Sequence, residues 1–294
     1  MMSPLRPLLA ALLCRMALIP GTAASLPDMP EPGHGDRVLV IAPHPDDESL
    51  CCAGILQRAH ANGAAVGVVW ITAGDSFLFD AIVVEHSLRP RGAPSRRLGA
   101  QRLLEARAAA NELGVPRTAQ FVLGYPDRGL SALVADYYRA PYLSPYTAVS
   151  AVPYADALSP GASYTGEHLE RDLERVIEAF RPTLVLAAAP QDLHPDHSAS
   201  GALVRRVLER RGELNELRYW IVHAPLWPWP PIYEPQLTLV PPATATALRW
   251  QSMPLSATER ARKRAALRAH HSQFELLAPF MNSFVRANEI LATD

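Results

Sequence analysis

The chain has 294 residues, of which 49% are hydrophobic and 19% are charged, so it can bury a substantial core and is not a disordered protein. Its 28 basic and 29 acidic residues give a formal net charge of −1, which provides no electrostatic basis for nucleic acid or an anionic membrane surface as the main partner. No run of about 18 uncharged apolar residues occurs, so no transmembrane segment is predicted.

The first 25 residues have the order of a secretory signal peptide. Arg6 provides a short positive region, residues 8–13 form an apolar run, and residues 21–25 are small enough for cleavage. The alternative is a disordered extension, or a start codon assigned too far upstream. A signal peptide predicts an exported protein, periplasmic or extracellular; without one the protein is expected to be cytoplasmic. Residues 26–35, which contain several prolines and glycines, are predicted to be a linker.

Short apolar runs alternate with longer amphipathic runs over residues 36–294, which we predict to form one domain. Strands are predicted at 38–41, 65–72, 121–123, 183–189 and 218–223. Helices are predicted at 48–62, 97–113, 167–180, 198–211 and 257–271. This alternation predicts an α/β fold with a mostly parallel sheet and helices on both faces. Two stretches interrupt it: an insert rich in Tyr and Pro at about 127–165, and a Trp-bearing segment at 225–254.

A first polar cluster follows the first predicted strand directly. The sequence His44-Pro45-Asp46-Asp47-Glu48 places one imidazole and three carboxylates within five residues. A single aspartate here would be explained as a helix cap, but a cap needs only one such residue. Adjacent carboxylates repel one another unless a cation or several hydrogen-bond donors hold them. Because open α/β sheets bind ligands beyond the carboxyl ends of their strands, this cluster predicts a functional site.

A second polar cluster, Asp192-Leu193-His194-Pro195-Asp196-His197, follows the strand predicted at 183–189 in the same way. His194 and His197 are three residues apart, so both can point toward one centre. Either cluster alone could be structural, but two His/Asp clusters at the same edge of one sheet are best explained by a shared metal ion. Imidazole nitrogen with carboxylate oxygen is the ligand set expected of catalytic zinc, and three protein ligands would leave a position for water.

The two motifs together resemble those of the zinc-dependent de-N-acetylases of the PIG-L/LmbE type, and the resemblance extends over roughly residues 36–275. It implies a Rossmann-like fold and one Zn²⁺ held by His44, Asp47 and His197. It also implies that Asp46 is the general base and that His194, expected to be charged near neutral pH, stabilises the oxyanion or protonates the leaving amine. Asp196 would orient a metal-binding imidazole by contacting it on the side away from the metal.

Weaker matches extend the resemblance. Arg102 corresponds to a family arginine that reaches substrate hydroxyls, although a solvated arginine on an amphipathic helix is the alternative. Asp127 corresponds to an acidic residue that contacts the sugar, or is simply a turn aspartate. His271 either lines the pocket or lies at a surface helix end. Cys51 and Cys52 stand where family members often have glycines, and because adjacent cysteines rarely pair, no structural disulfide is expected.

The resemblance predicts a zinc-dependent hydrolase that removes an N-acetyl or other N-acyl group from an amino sugar or glycoconjugate, with zinc-bound water as the nucleophile. Two alternatives remain open: a zinc amidase acting on a larger N-acyl group or a thiol–sugar conjugate, and a carbohydrate-binding protein that retains the site without catalysis. A metal-dependent phosphoesterase would usually need a second metal and more carboxylates than the two clusters provide.

Overall fold

A seven-stranded sheet forms the centre of the computed structural model, which describes residues 26–77 and 91–294. Its strands are β1 (Arg37–Ala42), β2 (Ala65–Thr72), β3 (Gln120–Tyr125), β4 (Leu184–Ala188), β5 (Leu217–Trp220), β6 (Arg249–Pro254) and β7 (Asn288–Thr293). Their spatial order is β3-β2-β1-β4-β5-β7-β6. The first five strands are parallel, and β7 runs antiparallel to both β5 and β6. The predicted α/β fold with a mostly parallel sheet is confirmed.

Helices cover the sheet in two groups. They are α1 (Asp47–Cys51), α2 (Ala53–Ala61), α3 (Ala93–Glu112), α4 (Leu130–Ala135), α5 (Gly166–Phe180), α6 (Pro195–Arg211), α7 (Ala257–Ala269) and α8 (His271–Ser283). Helices α1, α2, α3 and α8 contact α7, whereas α4, α5 and α6 contact one another. Two separate groups are what a sheet covered on both faces requires. No helix within the described ranges has the length and apolar character needed to cross a bilayer.

The apolar face that the sequence pattern predicts for helix α5 is buried in the structure. Its apolar residues recur at helical spacing, and the stripe that they form is buried: Leu169, Leu173, Val176, Ile177 and Phe180. Thr165 caps the amino terminus by accepting a hydrogen bond from the backbone N–H of His168. Phe180 packs so closely on Gly67 of β2 that a Cβ atom at residue 67 would lie 2.8 Å from the ring. A glycine at residue 67 therefore allows this helix to approach the sheet.

The predicted helix 48–62 is divided at Cys52, whose backbone angles (φ −136°, ψ 12°) are not helical. Cys51 and Cys52 form a disulfide at this break, so the expectation that these adjacent cysteines stay unpaired is wrong. The physical reason is the departure from helical geometry between α1 and α2, which brings the two side chains together. The helix predicted at 257–271 is found as α7 and ends two residues earlier than predicted; α8, which the sequence did not predict, begins after His270.

The two irregular stretches and the predicted linker all pack against the sheet. In the insert, Leu158 donates its backbone N–H to Val122 of β3, and Tyr154 and Tyr164 are buried. In the predicted linker, residues 26–35, Met29 is buried and donates its backbone N–H to the carbonyl of Ser252 in β6, and Ser252 donates its N–H to the carbonyl of Pro27. The predicted signal peptide lies outside the described residues and stays a prediction.

The topology brings the two polar clusters together. Strands β1 and β4 are parallel neighbours, with Ile41 opposite Ala187. From β1 the chain proceeds outward to β2 and β3, and from β4 it proceeds in the opposite direction to β5. The sheet therefore changes direction between β1 and β4, which is where open α/β sheets form their binding crevice. Both clusters begin immediately after these two strands.

The lysine at residue 263 anchors the segment that carries the first cluster. Its ammonium group is fully buried and donates hydrogen bonds to the backbone carbonyl of Leu50 (2.8 Å) and to Oε1 of Glu289 (2.7 Å). The Glu289 carboxylate also accepts the backbone N–H groups of Gly54 and Ile55, both at 2.9 Å. One ion pair thus binds the end of α1 and the positive amino-terminal end of α2 to β7.

We expect Lys263→Met to lower the free energy of unfolding by about 3 kcal/mol, because it leaves the Glu289 carboxylate buried without its cation. Chemical denaturation would measure the change. Arg262→Met removes an exposed positive charge from the next position in the chain, and this control should change stability by less than about 0.5 kcal/mol. Equal effects of the two substitutions would contradict the anchoring role.

Candidate active site

Three buried side chains from the two clusters converge on one point. His44 Nδ1 lies 3.1 Å from His197 Nε2, and Asp47 Oδ2 lies 3.4 Å from the first of these atoms and 3.3 Å from the second. Ligands bound to zinc at about 2.0–2.1 Å are about 3.3 Å apart when the coordination is tetrahedral. The three atoms therefore have the spacing of three corners of a tetrahedral zinc site.

Carboxylates support both imidazoles from the side away from this point. His197 Nδ1 lies 3.2 Å from Asp192 Oδ2. His44 Nε2 lies 3.3 Å from Asp127 Oδ1 and 3.3 Å from Asp196 Oδ2. Metal-binding histidines commonly have a carboxylate on the nitrogen that does not bind the metal, because this fixes the tautomer and the ring orientation. The donor set and its surroundings fit a metal ion.

The electrostatics of the site favour positive charge. Burial by itself would lower the pKa of His44, but Asp127 and the other neighbouring carboxylates raise it well above its ordinary value. Burial also opposes the charge of His197, yet Asp47 and Asp192 raise the pKa of that imidazole to about 9. The same buried carboxylates that stabilise a proton on these rings would stabilise a bound cation.

Asp46 is held beside this centre in an unusual backbone conformation. Its φ of 129° is rare for a residue with a side chain. Gln273 donates hydrogen bonds to Asp46 Oδ2 (2.5 Å) and to the carbonyl of Pro45 (2.7 Å). Arg102 donates to the same carbonyl at 3.0 Å, and the backbone N–H of Asp46 donates to Glu48 Oε2 at 3.2 Å. These contacts fix the Asp46 carboxyl group at the edge of the centre.

Burial, followed by the negative charge of Asp47, raises the pKa of Asp46 to about 7, although Arg102 and His270 act in the opposite direction. A carboxyl group with a pKa near the working pH can both accept and return a proton. Asp46 and Asp47 are neighbours in the sequence, yet their environments move their pKa values apart, because the charges of His197 and His44 lower that of Asp47.

Glu48, the third acid of the first motif, faces away from the centre. Its carboxylate accepts hydrogen bonds from Trp70 Nε1 (2.9 Å) and Ser49 Oγ (2.7 Å) and lies 3.0 Å from His270 Nε2. All four residues are fully buried or nearly so. Glu48 therefore stabilises the motif from within the protein, and both of its carboxylate oxygens contact other protein groups.

The candidate active site opens into a cavity of about 260 Å³. Arg102 and Asp127, the predicted substrate contacts, both line it, but each is already engaged with the protein. Arg102 donates to the carbonyls of Gly74 (2.6 Å) and Pro45, and Asp127 faces His44. His271 is exposed, and Gln273, two residues later, lines the cavity instead.

His194 stands at the cavity wall as the amino-terminal cap of α6. Its Nδ1 accepts the backbone N–H of Asp196 at 3.2 Å, so a neutral ring carries its hydrogen on Nε2. Burial, followed by the positive charges of His44 and His197, lowers the pKa of His194 to about 4. This direction is opposite to the one that a charged His194 near neutral pH requires, and the expected charge of His194 stays a prediction.

The structure also reveals site residues to which the sequence assigned no role. His223 lines the cavity, 4.7 Å between ring centroids from His197, and stacks on Phe280. Burial lowers its pKa to about 4. The sequence feature that could have identified His223 is its position at the end of the strand predicted at 218–223. Asp192 lies within the second motif and is the partner of His197, whereas Gln273 is far from both motifs in the sequence.

Comparisons with known proteins identify the family and the fold of the chain. The model of the PIG-L family, GlcNAc-PI de-N-acetylase, matches residues 39–208. The chain is 27% identical over 173 residues to a probable N-acetyl-alpha-D-glucosaminyl L-malate deacetylase 2 of Bacillus anthracis, covering 58% of this chain and 59% of that protein. It is 30% identical over 181 residues to a 1D-myo-inositol 2-acetamido-2-deoxy-alpha-D-glucopyranoside deacetylase of Rhodococcus opacus (strain B4), covering 60% of this chain and 54% of that protein.

The chain thus spans less than two thirds of the length of either relative. Among solved structures, the A40926 pseudoaglycone deacetylase Dbv21 superposes with a TM-score of 0.55 at 22% identity, covering 87% of this chain and 96% of that one. This likeness establishes the fold over most of the chain, including the part beyond residue 208.

We expect His44→Ala and His197→Ala to abolish stoichiometric zinc binding, because each removes one of the three proposed zinc ligands. Asp192→Asn should retain zinc with an affinity about 10- to 100-fold lower, since it removes only the support behind His197. Metal analysis after dialysis against graded chelator would measure both effects. His271→Ala, an exposed histidine nearby, is the matched control. Full zinc occupancy in either of the first two variants would exclude the proposed ligand set.

Proposed function

Because the chain belongs to the PIG-L family of GlcNAc-PI de-N-acetylases, we propose that it is a zinc-dependent hydrolase that removes the acetyl group from an N-acetylated amino sugar, releasing acetate and a free amine. The observation that carries the proposal is the tetrahedral spacing of His44, Asp47 and His197 with the carboxyl group of Asp46 beside them. The names of the two relatives, both deacetylases of N-acetylglucosaminyl compounds, support N-acetylglucosamine as the sugar.

His44, Asp47 and His197 would hold a single zinc ion, which supplies Lewis-acid polarisation of the acetyl carbonyl and lowers the pKa of water toward about 7. Asp46 then acts as the general base that takes a proton from the attacking water. Its raised pKa suits proton transfer near neutral pH. Gln273 holds the accepting oxygen in place through its short hydrogen bond, so little reorganisation is needed at the moment of transfer.

His194 is best suited to stabilise the oxyanion as a neutral donor. Its Nδ1 is occupied by the backbone of Asp196, and adding a second proton to the ring would break that cap. The Nε2–H group remains available to donate a hydrogen bond to the developing negative charge. The proton needed by the leaving amine is then the one that Asp46 took from water. Of the two roles that the resemblance allows for His194, we therefore propose stabilisation of the oxyanion.

Arg102 and Asp127 contribute to the site mainly by contacting other groups of the protein. Asp127 supports His44, and its other oxygen accepts the backbone N–H of Ser76 at 3.0 Å. Arg102 lines the cavity, and it is the residue that the resemblance matches to an arginine that reaches substrate hydroxyls. We therefore propose a sugar hydroxyl as a contact of Arg102, and a role for Asp127 in fixing a metal ligand.

The decisive assay is acetate release from a panel of N-acetylated substrates. We expect release from N-acetylglucosamine or its glycosides, little from N-acetyl-lysine, loss of activity on chelation, and recovery at one equivalent of zinc. Recovery only at two equivalents would indicate a two-metal enzyme and contradict the proposal. Release of acetate that is insensitive to chelation would also contradict it.

Asp46→Asn should lower kcat by about 10²- to 10⁴-fold because it removes the proton acceptor. Zinc content should stay at one equivalent, since the three proposed zinc ligands are unchanged. Asp136→Asn is the matched control, because Asp136 is exposed at the end of α4. Near-normal kcat in zinc-loaded Asp46→Asn would show that another group accepts the proton.

A further inference from the structure

A third loop, residues 73–77 after β2, connects the first polar cluster to the insert through hydrogen bonds. We call it the β2 loop. Arg102 donates hydrogen bonds to the carbonyl of Gly74 in this loop (2.6 Å) and to the carbonyl of Pro45 in the first cluster (3.0 Å). The first half of the β2 loop is therefore fixed to the segment that carries His44.

The second half of the β2 loop binds two separate parts of the insert. Ser76 donates its backbone N–H to Asp127 Oδ2 at 3.0 Å, and Asp127 Oδ1 lies 3.3 Å from Nε2 of His44. Asp75 accepts a hydrogen bond from the hydroxyl of Tyr154 at 2.5 Å. Asp127 is at the start of the insert, whereas Tyr154 lies in its second half. The β2 loop thus connects the hydroxyl of Tyr154 to a proposed zinc ligand.

Tyr154 is packed so closely that its hydroxyl has little freedom. The residue is buried between Gly99 of α3 and Gly124 of β3. A Cβ atom at residue 124 would lie 2.9 Å from the tyrosine ring, and a Cβ atom at residue 99 would overlap the hydroxyl itself. Burial, followed by the negative charge of Asp127, raises the pKa of Asp75 to about 7, so these two carboxyl groups are close enough to repel each other. The hydrogen bond from Tyr154 holds Asp75 in place against this repulsion.

We propose that Tyr154 is a positioning residue for the metal centre: its hydroxyl fixes the β2 loop, the loop holds Asp127, and Asp127 orients His44 for zinc binding. This inference rests on the proposed function, in which His44 is a zinc ligand, and it assigns a role to the insert. A carboxylate in contact with a metal-binding histidine strengthens metal binding by fixing the ring. Loosening Asp127 should therefore weaken zinc binding without removing any ligand.

A second buried tyrosine–aspartate pair provides the comparison for a purely structural role. Tyr125 of β3 donates its hydroxyl to Asp172 Oδ2 of α5 at 3.0 Å, and both residues are buried. Asp172 also accepts a hydrogen bond from Ser159 at 2.7 Å, so this pair connects β3, α5 and the insert. If Tyr154 only satisfied a buried acid, removal of either hydroxyl would have the same consequences.

Tyr154→Phe removes only the hydroxyl. We expect the affinity for zinc to fall about three- to tenfold, because the loss acts one contact farther from the metal than the carboxylates whose removal costs about 10- to 100-fold. Competition with a chelator would measure this affinity without any substrate. Tyr125→Phe is the matched control: it should lower the melting temperature of the metal-free protein as much as Tyr154→Phe does and change the zinc affinity by less than about twofold.

Two further variants test the path from Tyr154 to His44. Asp75→Asn keeps an oxygen that can accept the hydrogen bond, so its zinc affinity should stay within about twofold of that of the unmodified protein. When Asp127 is already changed to Asn, adding Tyr154→Phe should lower the affinity by less than about twofold, because the contact through which it acts is already altered. Additive losses, or a loss in Asp75→Asn as large as that in Tyr154→Phe, would overturn the inference.

Failure of the inference and failure of the proposed function would be distinguishable. Absence of stoichiometric zinc binding by the unmodified protein would overturn both. Zinc binding that Tyr154→Phe and Tyr125→Phe weaken equally, or that neither weakens, would overturn the inference alone and leave the proposed ligands in place. Because affinity is measured without substrate, a zinc-binding protein that releases no acetate would contradict the proposed activity, while the affinities would still decide the role of Tyr154.

Discussion

The parallel pairing of β1 with β4 is the constraint on which the candidate site depends. These strands are far apart in the sequence, yet their carboxyl ends lie side by side where the sheet changes direction. Each is followed by a short loop and a helix, so polar residues just after the strands must share a small volume. Two imidazoles and several carboxylates in that volume would be costly to bury without a cation. A bound metal ion would offset this cost.

Much of this arrangement could be predicted because it follows from local rules. Strand composition located β1 and β4, and the clusters that follow them placed His44, Asp47 and His197 at one edge. Reasoning of this kind singled out His271 and not Gln273, two residues later, because an imidazole is the more obvious site residue, whereas the local helix geometry decides which of the two lines the cavity. Nor could it decide the protonation of His194, which depends on a backbone hydrogen bond and on neighbouring rings.

The expectations that the structure corrects share a physical cause. The helix break at Cys52 and the packing of Met29 against β6 depend on tertiary contacts, which override local composition. The three adjacent acids illustrate the same point: Asp47 joins the candidate metal site, Asp46 stands beside it as the proposed base, and Glu48 turns inward to Trp70 and His270. Sequence proximity groups these residues, whereas burial and partners give them separate roles.

The match to the family model ends at residue 208, but the cavity continues beyond it. His223, Gln273 and Phe280, all from the last third of the chain, line it together with residues of the two motifs. The three proposed metal ligands and these residues of the cavity wall therefore come from different portions of the chain. Substitutions in the distal portion could therefore change the shape of the cavity while the three proposed metal ligands stay in place.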